Sequence, residues 1–283
     1  MIRNDRGNEL LLISQDAHAR LAGELVGRMG NQRFDGPDPF SRVVLAADLH
    51  DAGWALHDEP GGDLGGLLLN ADGLPCDVLE TRVEVSTRVW RASADRASEE
   101  DPYAGLLVSL HGFALSGLAT RQNLSADERY ALRHDVFLLN QFQQYEIERQ
   151  ERLRDMLGLA IDRPLEMGLA VPGVDREEDR LRFNLAMLRL ADAISLEACE
   201  GRSTVSPTQL LHPRIGSPTL ELGLSQPSPG VIRLSPWPFG VGRIATAVPA
   251  RCIPKRAYSS PADWHAAYAN ATVCSWTVLI EPG

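Results

Sequence analysis

Apolar residues along much of the chain recur with the period of a helix. Leu21, Leu25 and Met29 repeat every four residues within 15–29, a spacing that lines one helical face. The apolar run just before them, 9–14, reads as a short strand. The same periodicity predicts helices over 40–50, 77–97, 101–116, 125–157 and 175–200. The fourth of these opens on Ser125-Ala126-Asp127-Glu128, where the serine can cap the first turn while the glutamate reaches back. Two interruptions stand out. The stretch 53–75 is rich in Gly, Asp and Pro and reads as a long loop, a kind of segment that often carries function, and 164–173 is broken by Pro and Gly.

Beyond Gly201 the helical period fades, prolines cluster, and short β-prone runs appear at 230–234, 242–248 and 271–280, with one short helix near 262–270. The expected architecture is mainly α: a helical domain over 1–204 carrying a small β-rich C-terminal appendage over 205–283. Within that appendage Ser235-Pro236-Trp237-Pro238-Phe239 joins stiff prolines to large aromatics and is expected to pack on the helices.

Composition narrows the function. With 283 residues and 44% hydrophobic content the chain can bury a sizeable core. Acidic residues outnumber basic ones 38 to 28, for a formal net charge of −10, so nucleic acid is not an expected partner. Lys255 is the single lysine, which removes a Walker-type phosphate loop. Gly61-Gly62-Asp63-Leu64-Gly65-Gly66 follows no strand and opens no helix, so it is no dinucleotide fingerprint. The 4 cysteines, Cys76, Cys199, Cys252 and Cys274, form no CxxC pair and are expected to be reduced and mostly buried. The charged N-terminal text lacks a signal-peptide core, and no uninterrupted apolar stretch reaches the roughly 18 residues of a membrane span. The expected compartment is the cytoplasm, with no membrane partner. The polar run 141–154 reads as a solvated helix face, or as the seam of a homodimer.

The informative chemistry is a set of imidazoles and carboxylates on helices that otherwise look buried. His18 shares a face with Leu21 and Leu25, and His50-Asp51 ends the apolar run that begins at Val43. His111 follows Leu107, Val108 and Leu110, while Asp192 shares a face with Leu185, Leu188 and Leu196. Singly, each has an ordinary explanation, a hydrogen-bonded core histidine or a carboxylate paired with arginine. Together they offer nitrogen and oxygen donors to one cation. Arg20, Arg42 and Arg189 lie near them in sequence and could grip an anion, though each also suits an ion pair.

The order His18, His50-Asp51, Asp192 resembles the HD-domain superfamily of metal-dependent hydrolases, over about residues 10–200. The text 49–54, 101–112 and 236–239 is similar to a bacterial family of unknown function, DUF3891, over most of the chain. The superfamily resemblance implies an HD-domain-like helical bundle in which His18, His50, Asp51 and Asp192 bind a divalent transition metal: Mn, Fe, Ni, Co or Zn. His111 would then be a further ligand or a proton donor, and Asp51 and His111 the catalytic pair. The implied activity is hydrolysis of a phosphate ester or nucleotide-like small molecule, an anionic substrate, by metal-activated water. The alternatives are a non-haem iron oxygenase and a noncatalytic metal- or ligand-binding protein. Two-metal members place a further histidine near the position of Ser86, for which His57 and His134 are the substitutes, so one metal is favoured.

Overall fold

The computed structural model describes residues 1–58, 68–120, 132–159, 176–201 and 209–283. The helices fall where the period placed them: α1 (Gln15–Val26), α2 (Phe40–Leu49), α4 (Val83–Glu100), α5 (Pro102–Thr120), α6 (Arg133–Leu157) and α7 (Arg176–Glu200). A 3₁₀ turn (Ala52–Trp54) and the four-residue α3 (Ala55–Asp58) occupy the start of the segment read as loop. The glycine run 61–66, the Ser125 cap, the break at 164–173 and the domain boundary at 204 lie outside the described residues.

The centre of the helical layer is α5. Tyr103, Ala104, Leu106, Leu107, Val108 and Leu110 are all buried, the signature of a helix enclosed by others on every side. It packs against α4, α6, α2 and α7. The polar stretch of α6 is a solvated face only in part: Gln141, Gln144, Glu148, Glu151 and Arg152 are exposed, but Glu146, Arg149 and Gln150 turn inward. Glu146 is fully buried and Arg149 is 5% exposed; Arg149 Nε lies 3.0 Å from Glu146 and its Nη2 lies 2.6 Å from Asp95 on α4. Gln150 donates to the Ser109 hydroxyl of α5 at 3.1 Å. Paired charges thus join two of these helices, and a neutral hydrogen bond adds the third.

The expectation of a mainly helical HD-like bundle with a small β appendage is overturned by a seven-stranded, curled, mixed sheet. Its strands are β1 (Ile2–Asp5), β2 (Glu9–Ile13), β3 (Gln209–Leu211), β4 (Leu220–Ser228), β5 (Val231–Ser235), β6 (Ile244–Pro254) and β7 (Thr272–Pro282). They run in the order β1-β2-β6-β7-β5-β4-β3, with β5 and β7 parallel and every other pair antiparallel. Strand β2 pairs Leu10 with Ile253 and Leu12 with Arg251. Its unbroken apolar text follows from cover on both faces. Leu11 and Ile13 enter the main core shared with the helices, whereas Leu10 and Leu12 pack with Tyr258 and Trp264 beneath α8 (Pro261–Ala269).

Three strands escaped the sequence reading, among them the three-residue β3. In β1, Arg3-Asn4-Asp5 reads as a charged terminus, yet Ile2 and Asn4 are buried. In β4, Leu222, Leu224 and Gln226 are buried and alternate with exposed Glu221, Gly223 and Ser225, a period of two that the surrounding prolines and serines obscure.

The sheet also ends the helix α7. The last carbonyls of a helix have no partner within it, and here side chains of three strands supply donors. Gln226 donates to Glu197 O at 2.9 Å, Trp276 Nε1 to Ala198 O at 2.8 Å, and Asn4 to Cys199 O at 3.0 Å. Gly201 follows with φ +64, and a Cβ there would sit 2.4 Å from the Asn4 amide nitrogen, so a glycine is needed for both reasons. Phe239 joins the main core with Trp237 packed against its edge, and Gly30 at the end of α1 donates to Pro238 O at 3.0 Å. The Pro-Trp-Pro-Phe run therefore packs on the helical layer, as its composition suggested.

Trp276 tests this attachment. Trp276→Phe keeps most of the packing but leaves the Ala198 carbonyl without its donor, and should cost about 1–3 kcal/mol. Trp276→Ala should cost about 3–5 kcal/mol. Urea denaturation followed by circular dichroism measures both, and equal losses would contradict the capping role.

Candidate metal centre

The five side chains singled out in the sequence meet at one place. His18 comes from α1, whose start is held by two caps: Ser14 accepts from Ala17 N at 3.2 Å, and Asp58 accepts from Gln15 N at 2.9 Å. His50 is the residue that closes α2, and Asp51 precedes the 3₁₀ turn. His111 projects from α5 and Asp192 from α7. Close helix approach makes the meeting possible. A Cβ on Gly23 of α1 would lie 1.8 Å from the Asp48 carboxylate on α2, and one on Gly53 would lie 2.1 Å from the Val89 carbonyl of α4. The second contact is with backbone and cannot yield, so Gly53 fixes how closely the turn after Asp51 sits on α4.

The histidine rings stack edge to face in a row, His18 to His50 with centroids 5.1 Å apart and His50 to His111 with centroids 5.3 Å apart. Asp51 Oδ2 lies 2.8 Å from His18 Nε2 and 3.6 Å from His50 Nε2. Asp192 Oδ1 lies 3.3 Å from His50 Nε2, and its Oδ2 lies 3.5 Å from His111 Nε2. Two donor groups follow, His18-His50-Asp51 and His50-His111-Asp192, each with its ligand atoms within 4.8 Å of one another. They share His50.

The hydrogen-bond pattern assigns the ring protons. The Ser195 hydroxyl has one proton and directs it to Asp192 O at 2.9 Å, so it accepts from His18 Nδ1, also at 2.9 Å. The proton of neutral His18 is thus on Nδ1, and the lone pair of Nε2 points at Asp51. His50 Nδ1 donates to Ala47 O at 2.7 Å, which turns its Nε2 lone pair toward both carboxylates. That Nε2 is buried without a hydrogen-bond partner, as is His111 Nδ1. In its neutral form the His50 ring aims this lone pair at carboxylate oxygens, an arrangement that calls for a cation between them or for extra protons.

The electrostatics agree. Burial opposes charge on His50, but the carboxylates of Asp51 and Asp192 outweigh it and push its pKa up to about 9. Burial also works against the charge on Asp192, yet His50, His111 and His18 hold its carboxyl below the usual carboxylate range, and His50 and His18 do the same for Asp51. Burial dominates at His111 and pushes it down to about 4, so that ring stays neutral at neutral pH. Two carboxylates and three neutral imidazoles balance a divalent cation, and the mixed nitrogen and oxygen set suits Mn, Fe, Co, Ni or Zn.

Residues 1–255 match the model of a family described as a protein of unknown function, DUF3891. The chain belongs to this family. No curated protein and no solved structure matches the DUF3891 chain, and the HD-superfamily likeness gains no support from these comparisons.

Other candidates for ligation stand apart from the centre of the DUF3891 chain. His57 contacts Asp58 at 3.2 Å and stacks on Trp54. His134 is exposed, and the Ser86 hydroxyl donates to Arg82 O at 3.3 Å. Sequence reasoning missed the supports: Ser195, which orients His18; the Ala47 carbonyl, which orients His50; and Asp58, which caps α1. Ser195 had a signal, since it lies three residues after Asp192 on the same helical face.

Metal removal exposes the proton assignments. In metal-free protein the elevated pKa of His50 stabilises the fold fully below about pH 6.5, and this contribution is lost as pH rises through about 9. The lowered carboxylates act oppositely, stabilising above their unfolded pKa near 4 and failing as pH falls further. Melting temperature of chelator-treated protein should therefore decline between pH 7 and pH 9, and metal loading should flatten that decline. A decline identical with and without metal would contradict this account of His50.

Proposed function

We propose that this DUF3891 protein is a metal-dependent hydrolase acting on a phosphate ester of a small molecule. The observation that carries the reading is His50 Nε2, whose lone pair is fixed by the Ala47 carbonyl, buried without a hydrogen-bond partner, and set against two carboxylates. His18, His50, Asp51, Asp192 and His111 would hold one divalent cation. Such a cation lowers the pKa of bound water and neutralises phosphoryl oxygens.

The chain's own residues do the remaining work. Ser195 and the Ala47 carbonyl keep the lone pairs of His18 and His50 aimed inward, without reorganisation when a ligand arrives. Side-chain exposure is 0–8% for His18, His50, Asp51 and His111 but 18% for Asp192, so the centre opens beside Asp192 and excludes water elsewhere. Asp51 is held ionised by His50 and His18, and neutral His111 stands at the other end of the row. One cation is favoured over two because His57 and His134 stand outside the cluster.

Elemental analysis of protein purified without chelator, beside Asp51→Asn checked for retained helicity, is the test. Wild type should carry near one equivalent of transition metal and release phosphate from a generic phosphomonoester only when loaded. The variant should lose metal and at least about 100-fold in rate. No metal in wild type, even after reconstitution with Mn, Fe, Ni and Zn, would overturn the reading.

A further inference from the structure

We infer that Arg189 is the anchor for the substrate's anionic group, and that the group is a single phosphoryl; this rests on the hydrolase reading above. Arg189 lies on α7 one turn before Asp192, so both side chains leave the same helical face. Asp192 is the most exposed of the five centre residues, and Arg189 is its neighbour one turn back along the helix. It is half-buried, and its charge is felt by both Asp192 and His111.

Among the described residues, no hydrogen bond, ion pair or aromatic ring engages the Arg189 guanidinium. The chain has carboxylates in excess, 38 against 28 basic groups; Arg91 likewise lacks a hydrogen bond at Nε but lies over the Tyr145 ring at 3.9 Å, and other inward-leaning arginines are paired. Arg149 meets Glu146 and Asp95, Arg180 meets Asp38 and Glu177, and Arg182 meets Glu178. Arg20 and Arg42, the other arginines adjacent to the centre in sequence, are ion-paired to Asp16 and Asp101. A partly desolvated guanidinium without a partner is costly. Here the cost leaves five donors free at the mouth of a cation site. A phosphoryl group satisfies both: two of its oxygens match the guanidinium fork, while a third faces the cation. One free guanidinium suits one phosphoryl group, which favours phosphomonoesters over diphosphates and triphosphates.

The test is calorimetric titration of Mn-loaded wild type, Arg189→Met and Arg189→Lys with inorganic phosphate, after metal content and helicity are measured for each. Arg189→Met should keep its metal and bind phosphate about 30-fold more weakly, and Arg189→Lys, which keeps the charge but not the fork, should fall between. Pyrophosphate should bind wild type no more than a few-fold tighter than phosphate. Equal phosphate affinity in wild type and Arg189→Met at full metal occupancy would overturn the inference while leaving the hydrolase reading intact. So would loss of metal from Arg189→Met, which would make Arg189 part of the centre's framework, and pyrophosphate binding tenfold tighter would overturn the single-phosphoryl assignment. Failure of wild type to hold metal is a failure of the hydrolase reading, seen before any phosphate is added.

Discussion

Asp51 and Asp192 carry negative charge in the interior of the helical layer, and the fold around them is arranged to make that tolerable. Isolated buried carboxylates would cost many kcal/mol. Three imidazoles surround them, two with ring protons directed away, to Ser195 and to Ala47 O, so that lone pairs converge inward. Helix packing serves this convergence: Gly23 lets α1 close on α2, and Gly53 seats the turn after Asp51 on α4. The polar contacts of Glu146, Arg149 and Gln150 steady α5 from its far side.

The sheet belongs to the same arrangement. Its curled inner face shares one core with the helices, and Asn4, Gln226 and Trp276 close the carbonyl end of α7, the helix that brings Asp192 and Ser195 to the centre. Hydrogen bonds to terminal carbonyls hold both the axial position and the rotation of a helix. The placement of Asp192 is therefore set partly by strands that never approach it.

The candidate site was more legible in the sequence than the fold. His18, His50, Asp51, His111 and Asp192 announced themselves because a polar group on an apolar helical face is a local anomaly, visible within one turn. The helices were legible for the same local reason. Four strands were legible too, but their union into one sheet was not, because pairing between Leu10 and Ile253 leaves no trace in any short window. The short β1 hides behind Arg3 and Asp5, and β4 is half polar because one of its faces meets solvent. Burial of Glu146 and Arg149 was equally hidden, since a charge paired within the interior reads in sequence like a charge in water.

The position of β2 has a consequence for biosynthesis. Residues 9–12 wait for residues 251–254 before the sheet can form across them. At translation rates of about 5–20 residues per second, that interval lasts on the order of 10–50 s. Throughout it, the apolar run Leu10-Leu11-Leu12-Ile13, which in the finished molecule is covered on both faces, has no strand to cover it from the C-terminal side. Helix α1 follows that run directly, so the helix that carries His18 is tied at its start to the part of the sheet completed last. Until the C-terminal strands exist, the nascent chain therefore carries four consecutive apolar residues that only the finished sheet covers.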